Sequence, residues 1–283
     1  MAGKHRSVRV LGLASSAVLS ATGCSSGPKT PTVGPAKSFQ LVDFRPPERV
    51  EAGKPVQVSF RVRQQPSGKI MTRYKRGAGP HTGIHLILVR RDLTQIVHHH
   101  PPVAADGTLH DTVVFPLPGR YRVLADVYPA SGRNFQVTTD VNVAGPFSGF
   151  RPIPPFMRTV VVDGYRVTLA RRPRLRAIEA ALVPVTVTRP DGTPARFEVW
   201  FGALAHAIFF RAGSLDCFHT HVCGPNTPGC TTGTGGARVS GRSARPGRLT
   251  VGILLPEAGR WRMFLQMKAD DRVLTAPFTL EVR

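Results

Sequence analysis

The stretch GIHLILVRRDLTQIVHHHP, residues 83–101, occurs in a second form as LAHAIFFRAGSLDCFHTHV, residues 204–222. Each copy carries one histidine, followed by two more at +13 and +15. These histidines are His85, His98 and His100 in the first copy and His206, His219 and His221 in the second. Each copy also continues to a similar strand pattern, PGRYRVLADV in the first half and AGRWRMFLQM in the second. The shared spacing predicts two related domains, each with a histidine-bearing β-hairpin.

The histidine spacing has a geometric consequence in a hairpin. A turn at Arg91–Asp92 would place His85 opposite His98, because the two histidines are equally far from it along the chain. In the second copy, the point midway between His206 and His219 is Ala212–Gly213, which would be the corresponding turn. Residues two apart on one strand share a face, so His98 and His100 point the same way. Three imidazoles then converge on one face in each copy. Such a cluster is a reasonable site for copper or zinc.

A structural interpretation of the histidines stands beside the metal interpretation. A histidine beside Ile87, Val89 and Ile96 can be a half-buried imidazole bonded to a backbone carbonyl. The His-His-His-Pro-Pro run can be the polar end of a strand. The repetition of the spacing favours metal binding in at least one copy.

Residues 1–23 have the features of an export signal. Lys4, Arg6 and Arg9 precede an apolar run over residues 10–21, which is too short to span a bilayer by the usual ~20-residue criterion. The run ends in Ala-Thr-Gly before Cys24, which resembles the lipobox of bacterial lipoproteins. That resemblance implies a lipidated Cys24 and anchoring on the extracytoplasmic face of the cell membrane. An ordinary secreted protein is the alternative, and residues 24–36 would be a flexible tether.

The chain is strongly basic, with 38 Lys and Arg against 17 Asp and Glu and a formal net charge of +21. The sequence has no recognisable nucleic-acid-binding motif and no run of basic residues interspersed with aromatic ones. Nucleic acid is therefore a poor candidate partner. Anionic lipid heads or acidic envelope polymers fit such a surface better. Coding bias toward arginine is a second explanation for the charge.

Short alternating segments separated by Gly, Pro and Asp turns run through both halves, such as SFQLVDF, VQVSFRV and LVPVTVT. There is no long 3.6-residue periodicity. The pattern predicts an all-β protein of two tandem immunoglobulin-like β-sandwiches. We expect the domains at 37–145 and 158–283, joined by a proline-rich linker at 146–157. A Gly/Ser/Thr-rich insertion at 223–247 is predicted to be a long loop.

The cysteines lie around this predicted insertion. Cys217, His219, His221 and Cys223 alternate, so one extended strand puts all four on a single face. Oxidation is the default in an exported protein, and a Cys223–Cys230 bridge is preferred. Cys217 would then be a free, soft ligand that favours Cu(I), or a small buried hydrophobe. Pairing of Cys217 with Cys223 or Cys230 stays open.

At residues 85–101 and 206–223 the chain resembles a group of exported actinobacterial proteins. These carry tandem β-sandwich domains in which an H…HxHP hairpin is followed by a PGRYR strand. It is more distantly similar to the copper-handling sandwiches of the CopC and YtkA-like kind. The motif falls on His85, His98, His100, Pro101, His206, His219 and His221. The second copy departs from it with Val222-Cys223 where proline is expected. The resemblance implies a β-sandwich fold and an exported location.

These observations predict binding of a transition metal, copper first and zinc second, for storage, buffering or delivery. A metal-trafficking protein is a candidate partner. We expect no enzyme, because the sequence has no nucleophile elbow, phosphate-binding loop or H-E-x-x-H helix. The alternative function is a metal-free scaffold or adhesion module of the envelope, with structural histidines.

Overall fold

The computed structural model describes residues 37–46, 49–77, 79–225, 227 and 241–283. Residues 37–283 belong to one compact unit. The described part is all-β, and it contains no helix that could cross a bilayer. The predicted class of two tandem immunoglobulin-like β-sandwiches is confirmed. The predicted signal segment 1–23, Cys24 and the tether 24–36 lie outside the described residues.

The first sandwich has two sheets that enclose one apolar core. Its strands are β1 (Ser38–Arg45), β2 (Val50–Glu51), β3 (Pro55–Gln65), β4 (Ile84–Arg90), β5 (Ile96–His99), β6 (Leu109–Val114), β7 (Gly119–Val127) and β8 (Phe135–Ala144). One sheet has the order β1-β3-β6 and the other β2-β8-β7-β4-β5. All pairs are antiparallel except β2 with β8. Alternation along β3 and β6 puts Val58, Phe60 and Val113 into the core.

The second sandwich is a single continuous sheet whose two layers face each other. Its strands are β9 (Thr159–Val162), β10 (Tyr165–Leu169), β11 (Ala181–Thr188), β12 (Phe197–Glu198), β13 (Ala205–Arg211), β14 (Cys217–Cys223), β15 (Gly241–Arg245), β16 (Arg248–Ile253), β17 (Gly259–Ala269) and β18 (Arg272–Val282). The order is β12-β17-β13-β14-β15-β16-β11-β10-β9, with β18 beside β17. A short parallel contact of β14 with β15 joins the layers.

One part of the predicted loop insertion is a strand. Gly241–Arg245 forms β15, between β14 and β16. A Cβ at Gly241 would lie 2.2 Å from the carbonyl oxygen of Thr250, so the close backbone approach requires glycine. Local composition predicted a loop, and sheet pairing overrides that preference. Residues 226 and 228–240 lie outside the described part.

The repeated PGRYR and AGRWR patterns form the same corner in both sandwiches. The Tyr121 hydroxyl donates to the Leu117 carbonyl at 2.8 Å, and the Leu117 N–H donates back to it at 3.2 Å. The Trp261 indole N–H donates to the Glu257 carbonyl at 3.1 Å. Each bond spans four residues and ties the start of a central strand to the preceding turn, as a tyrosine corner does in immunoglobulin folds. The repeat therefore encodes a structural device.

Replacement of Tyr121 by phenylalanine is expected to lower the free energy of unfolding by about 1–3 kcal/mol. The substitution keeps the buried ring but leaves the Leu117 N–H and carbonyl without their hydroxyl partner. Guanidinium denaturation measures the change. A loss below about 0.5 kcal/mol would show that the corner bond adds less than an ordinary buried hydrogen bond.

The two sandwiches pack on each other through a third apolar cluster. Its buried members are Ile87, Val89, Leu93, Leu124, Ile208, Phe210, Leu215 and Phe264. Six of these residues alternate along β4, β7, β13 and β17 with residues of the two internal cores, and Leu93 and Leu215 lie in the hairpin loops. Every residue of β4 is consequently buried, on one face by its own sandwich and on the other by the second sandwich. His85 and His206 lie on these same mutually buried faces.

Candidate metal centre

The hairpins that carry the histidines pair with a register two residues away from the predicted one. Leu86 pairs with His99, so His85 stands beside His100, and the His85 and His100 ring centroids are 3.9 Å apart. In the second hairpin His206 pairs with His221. The predicted pairing of His85 with His98 was wrong, and so was that of His206 with His219.

Longer turns cause the shift. In the first hairpin the Arg90 N–H bonds to the Gln95 carbonyl, and in the second the Arg211 N–H bonds to the Asp216 carbonyl. Within the first loop Asp92 accepts hydrogen bonds from the Thr94 N–H and hydroxyl at 3.2 and 2.7 Å. A shift of two residues leaves every side chain on its original face. The predicted convergence on one face is therefore confirmed although the pairing was not.

All six predicted histidines lie in one group across the sandwich interface, here called the histidine cluster: His85, His98, His100, His206, His219 and His221. His85 Nδ1 lies 3.2 Å from His219 Nδ1, which belongs to the other sandwich. The His98 and His206 ring centroids are 5.0 Å apart. Five members are at most 6% exposed, and His100 is partly buried. The two predicted groups of histidines thus lie together in one cluster.

Ring nitrogens within the cluster approach closely enough to share a metal ion. Among the described residues, three sets have ligand atoms within 4.8 Å of one another: His85 with His98 and His100, His85 with His219 and His221, and His98 with His206 and His219. The first set is the one predicted for domain one. The set predicted for domain two, His206, His219 and His221, is not among the sets found in the described part of the chain, although its rings lie 4.5–5.5 Å apart.

Hydrogen bonds from outside the cluster determine the tautomers of three histidines. His206 Nε2 lies 3.0 Å from the Trp200 carbonyl oxygen, and His219 Nδ1 lies 3.3 Å from Asp126 Oδ2. His98 Nδ1 lies 3.1 Å from Gln266 Oε1, while the Gln266 amide nitrogen donates to Thr275. Carbonyl, carboxylate and amide oxygens accept, so each of these ring nitrogens carries a proton. The lone pairs are left on His98 Nε2, His206 Nδ1 and His219 Nε2.

Two of these lone pairs face each other. His206 Nδ1 and His219 Nε2 are 3.3 Å apart. When both imidazoles are neutral, neither of these nitrogens carries a proton, so two lone pairs face each other and a cation between them stabilises the contact. A tetrahedral ion with metal–nitrogen bonds of about 2.0–2.1 Å separates its ligand nitrogens by about 3.3–3.4 Å. His98 Nε2, which is buried without a hydrogen-bond partner among the described residues, completes the set. The three histidines thus offer a metal ion three ring nitrogens that lie within 4.8 Å of one another.

The arrangement of acceptors repeats across the two sandwiches. Asp126 of β7 pairs in register with His85 and bonds His219, while Gln266 of β17 pairs with His206 and bonds His98. Each sandwich thus orients a histidine of the other. Acceptors that hold the second ring nitrogen of a histidine are a recurrent feature of metal sites, since they set the tautomer and the ring orientation.

Burial favours the neutral form of five members of the cluster. Burial and the neighbouring imidazoles hold the pKa values of His85, His98 and His221 well below the usual range, and burial does the same for His206. Burial, with the charges of His219 and His99, lowers the pKa of His100 to about 3. Neutral imidazole is the form that binds metals, so these five histidines need not lose a proton before a metal ion can bind.

The loop from Trp200 to Gly202 covers one side of the cluster. The Phe201 ring stacks on His100 at 4.0 Å, and the Trp200 ring meets His206 edge-on at 5.2 Å. A Cβ at Gly202 would lie 2.3 Å from the carbonyl carbon of Gly79 in the first sandwich. The loop from Trp200 to Gly202 therefore seals against the other sandwich, and a side chain at Gly202 would separate them.

Comparison with known proteins assigns the chain to a family. The model of a domain of unknown function, DUF8832, matches residues 39–145 and 159–283. The chain belongs to the DUF8832 family. Each matched segment contains one histidine hairpin and its corner strand. No functionally curated protein matches the chain.

Several solved structures are similar to this DUF8832 protein at low identity. A tetra-tandem repeat from the extending region of a large adhesion protein is 10% identical at a TM-score of 0.27, covering 87% of this chain and 49% of that chain. Invasin, a bacterial integrin-binding protein, is 11% identical with a TM-score of 0.24, and the match covers 87% of this chain and 39% of invasin. The tandem Ig repeats of Dlar are 9% identical with a TM-score of 0.23, and the match covers 88% of this chain and 99% of that chain. The chain spans about half the length of the first of these.

Sequence reasoning missed Asp126 and Gln266. Both occupy the ninth position of the repeated stretches PGRYRVLADV and AGRWRMFLQM. A polar residue there interrupts an otherwise apolar run in both copies of the DUF8832 domain. That coincidence was the available signal. Trp200 contributes through its backbone carbonyl, which no residue pattern reveals.

Cys217, the predicted soft ligand, does not join the histidine cluster. Cys217 is free and partly buried, and it packs against the apolar cluster between the sandwiches. Burial raises the pKa of its thiol, as do the charges of Asp126 and Asp216. None of the metal-capable sets found among the described residues includes Cys217. Cys223 is disulfide-bonded. Cys230, the predicted partner, lies outside the described residues, so that bridge stays a prediction.

Proposed function

We propose that this DUF8832 protein binds one transition-metal ion, copper first and zinc second, between its two sandwiches, for storage, buffering or delivery. His98, His206 and His219 are the ligands. The observation that carries the proposal is the 3.3 Å contact of His206 Nδ1 with His219 Nε2, whose other ring nitrogens both face acceptors. A cation relieves the repulsion between the two lone pairs and takes His98 Nε2 as its third ligand.

The ligand chemistry supports copper and zinc. Neutral imidazole suits zinc, copper, iron and nickel, while hard cations such as Mg²⁺ and Ca²⁺ require oxygen ligands. Copper is ranked first because divalent copper binds a given nitrogen site more tightly than other first-row ions. The nearest carboxylate, Asp126, stands behind His219 and partly balances the charge of the ion.

The proposed setting is the extracytoplasmic face of the cell membrane, with Cys24 as the lipid-bearing residue. The signal-like segment before Cys24 supports this location. Anionic envelope polymers or a metal-trafficking protein are the proposed partners. Binding, rather than catalysis, is the proposed activity.

Titration of the metal-free protein with Cu(II), Cu(I) and Zn(II) tests the proposal. We expect submicromolar affinity for at least one ion, one ion per chain, and a rise in melting temperature. At a free ion concentration of 100 Kd, binding stabilises the folded state by about 2.7 kcal/mol. Absence of binding and of a melting shift with all three ions would contradict the proposal.

The competing function is a metal-free scaffold with structural histidines. The stack of His85 on His100 and of His100 on Phe201 favours it, because stacked rings can pack a core without an ion. This reading leaves the buried nitrogens of His98, His100 and His221 without hydrogen-bond partners among the described residues. Such groups cost about 1–3 kcal/mol each when they stay unpaired.

A further inference from the structure

A cavity reaches the histidine cluster from the surface of the first sandwich. Its volume is about 490 Å³, and its walls include Tyr74, Thr82, His100 and Pro101. His100 is the one cluster member that lines this cavity, and it is also the least buried of the six. Its ring lies between His85 and Phe201, and its Nε2 atom points into the protein without a partner among the described residues. His100 thus connects the cavity with the buried ligands.

His98 belongs to two of the metal-capable sets. The outer set is His85, His98 and His100, and the inner set is His98, His206 and His219. The His98 ring centroid lies 5.4 and 5.1 Å from those of His85 and His100. It lies 5.0 and 5.3 Å from those of His206 and His219. His98 is therefore about equally distant from the remaining members of both sets.

We infer that the outer set receives the metal ion from the cavity and passes it to the inner set by ligand exchange around His98. The inference rests on the proposed function and adds the route to its site. The ion exchanges His85 and His100 for His206 and His219 while one nitrogen ligand is retained. At no stage does a bare cation enter the apolar interface, where it would lose its solvation without compensation.

The charge of the cavity defines the form in which the ion arrives. Lys75 and Arg76 line the cavity, and its described lining contains no acidic residue. Lys75 also lies over the ring of Tyr128, 5.8 Å from its centroid, beside His85. A positive mouth repels a hydrated dication and attracts an anionic complex. The route therefore selects an ion carried by an anionic small-molecule ligand.

Stopped-flow loading of the metal-free full chain with Zn(II) tests the route. Replacement of His100 by alanine is expected to slow both loading and release to a chelator, each on the order of tenfold. The dissociation constant, as the ratio of the two rates, then changes far less than either rate. His99→Ala is the matched control, because His99 is the next residue, faces the opposite side and bonds Asp111 at 2.9 Å.

A second variant uses exposed residues and leaves the buried cluster untouched. Lys75→Gln with Arg76→Gln is expected to accelerate loading of hydrated Zn(II) on the order of tenfold at low ionic strength, with the gain lost in high salt. Arg171→Gln with Arg174→Gln removes two equal charges from the second sandwich and serves as the control. Loading rates equal to those of the unaltered protein in both the His100 and the Lys75/Arg76 variants would overturn the route alone. Absence of equilibrium binding by the unaltered protein would overturn the proposed function and the route with it.

Discussion

Replacement of His98 and His219 by alanine is expected to weaken metal binding by more than about 100-fold. The double substitution removes one proposed ligand from each sandwich and leaves His206 Nδ1 as the single ligand of the inner set. Isothermal titration of the metal-free protein with the ion that binds best measures the change. A similar loss from His206→Ala alone would extend the ligand set to its third member.

Two other histidines provide the control for this prediction. His99 lies between two cluster members but faces away from them and bonds Asp111, and His110 is exposed. The His99→Ala/His110→Ala protein carries the same number of substitutions and should bind metal as the unaltered protein does. Equal losses in the two double variants would mean that the cluster does not hold the ion. Circular dichroism of both variants separates a lost ligand from a lost fold.

The metal-free protein is expected to lose stability steeply as the pH falls below about 6.5. Burial lowers the pKa of His100 to about 3 in the folded protein, whereas an unfolded histidine titrates near 6.5. Between these values the unfolded state binds more protons, so the free energy of unfolding decreases as the pH decreases. The change is about 1.4 kcal/mol per pH unit, or about 2 kcal/mol between pH 6.5 and pH 5 for His100 alone.

The other members of the cluster with strongly lowered pKa values act in the same direction: His85, His98, His206 and His221. These groups lie on both sandwiches, so their protonation destabilises the interface as the pH falls. We therefore expect the interface between the sandwiches to open before pH 5. Thermal melts from pH 8 to pH 5 measure the effect. A melting temperature that stays constant over this range would show that the imidazoles are not held neutral by burial.

Metal binding should move this transition to lower pH. An ion on His98, His206 and His219 competes with protons for the same lone pairs, so loading protects the interface until protons displace the metal. The loaded and metal-free proteins, melted side by side at pH 5.5, give the comparison. The same linkage means that acid releases the ion, which suits a protein that delivers metal.

The sequence was sufficient to predict which residues gather in the cluster. Two copies of a +13/+15 histidine spacing identified all six members before any fold was known. Strand alternation then assigned them to one face, and this assignment survived an error in the turn. The sequence predicted a two-residue turn at Arg91–Asp92, but the structure has a longer loop there, in which Asp92 accepts hydrogen bonds from Thr94. Because side chains alternate with a period of two, the register moved while the face stayed the same.

By itself, then, the sequence determined the all-β class, the repetition of the domain and the identity of the histidines, because these follow from local periodicity and from spacing. Only the tertiary structure decided that the two hairpins share one site. Sharing depends on two apolar faces, with Ile87 and Phe210 among their residues, that bury each other. It also decided which nitrogens are free, because Asp126, Gln266 and the Trp200 carbonyl are remote in sequence from the histidines or hidden in the backbone. The arrangement of the ring nitrogens arises from packing between strands that are distant in sequence, so it cannot be predicted from local sequence patterns.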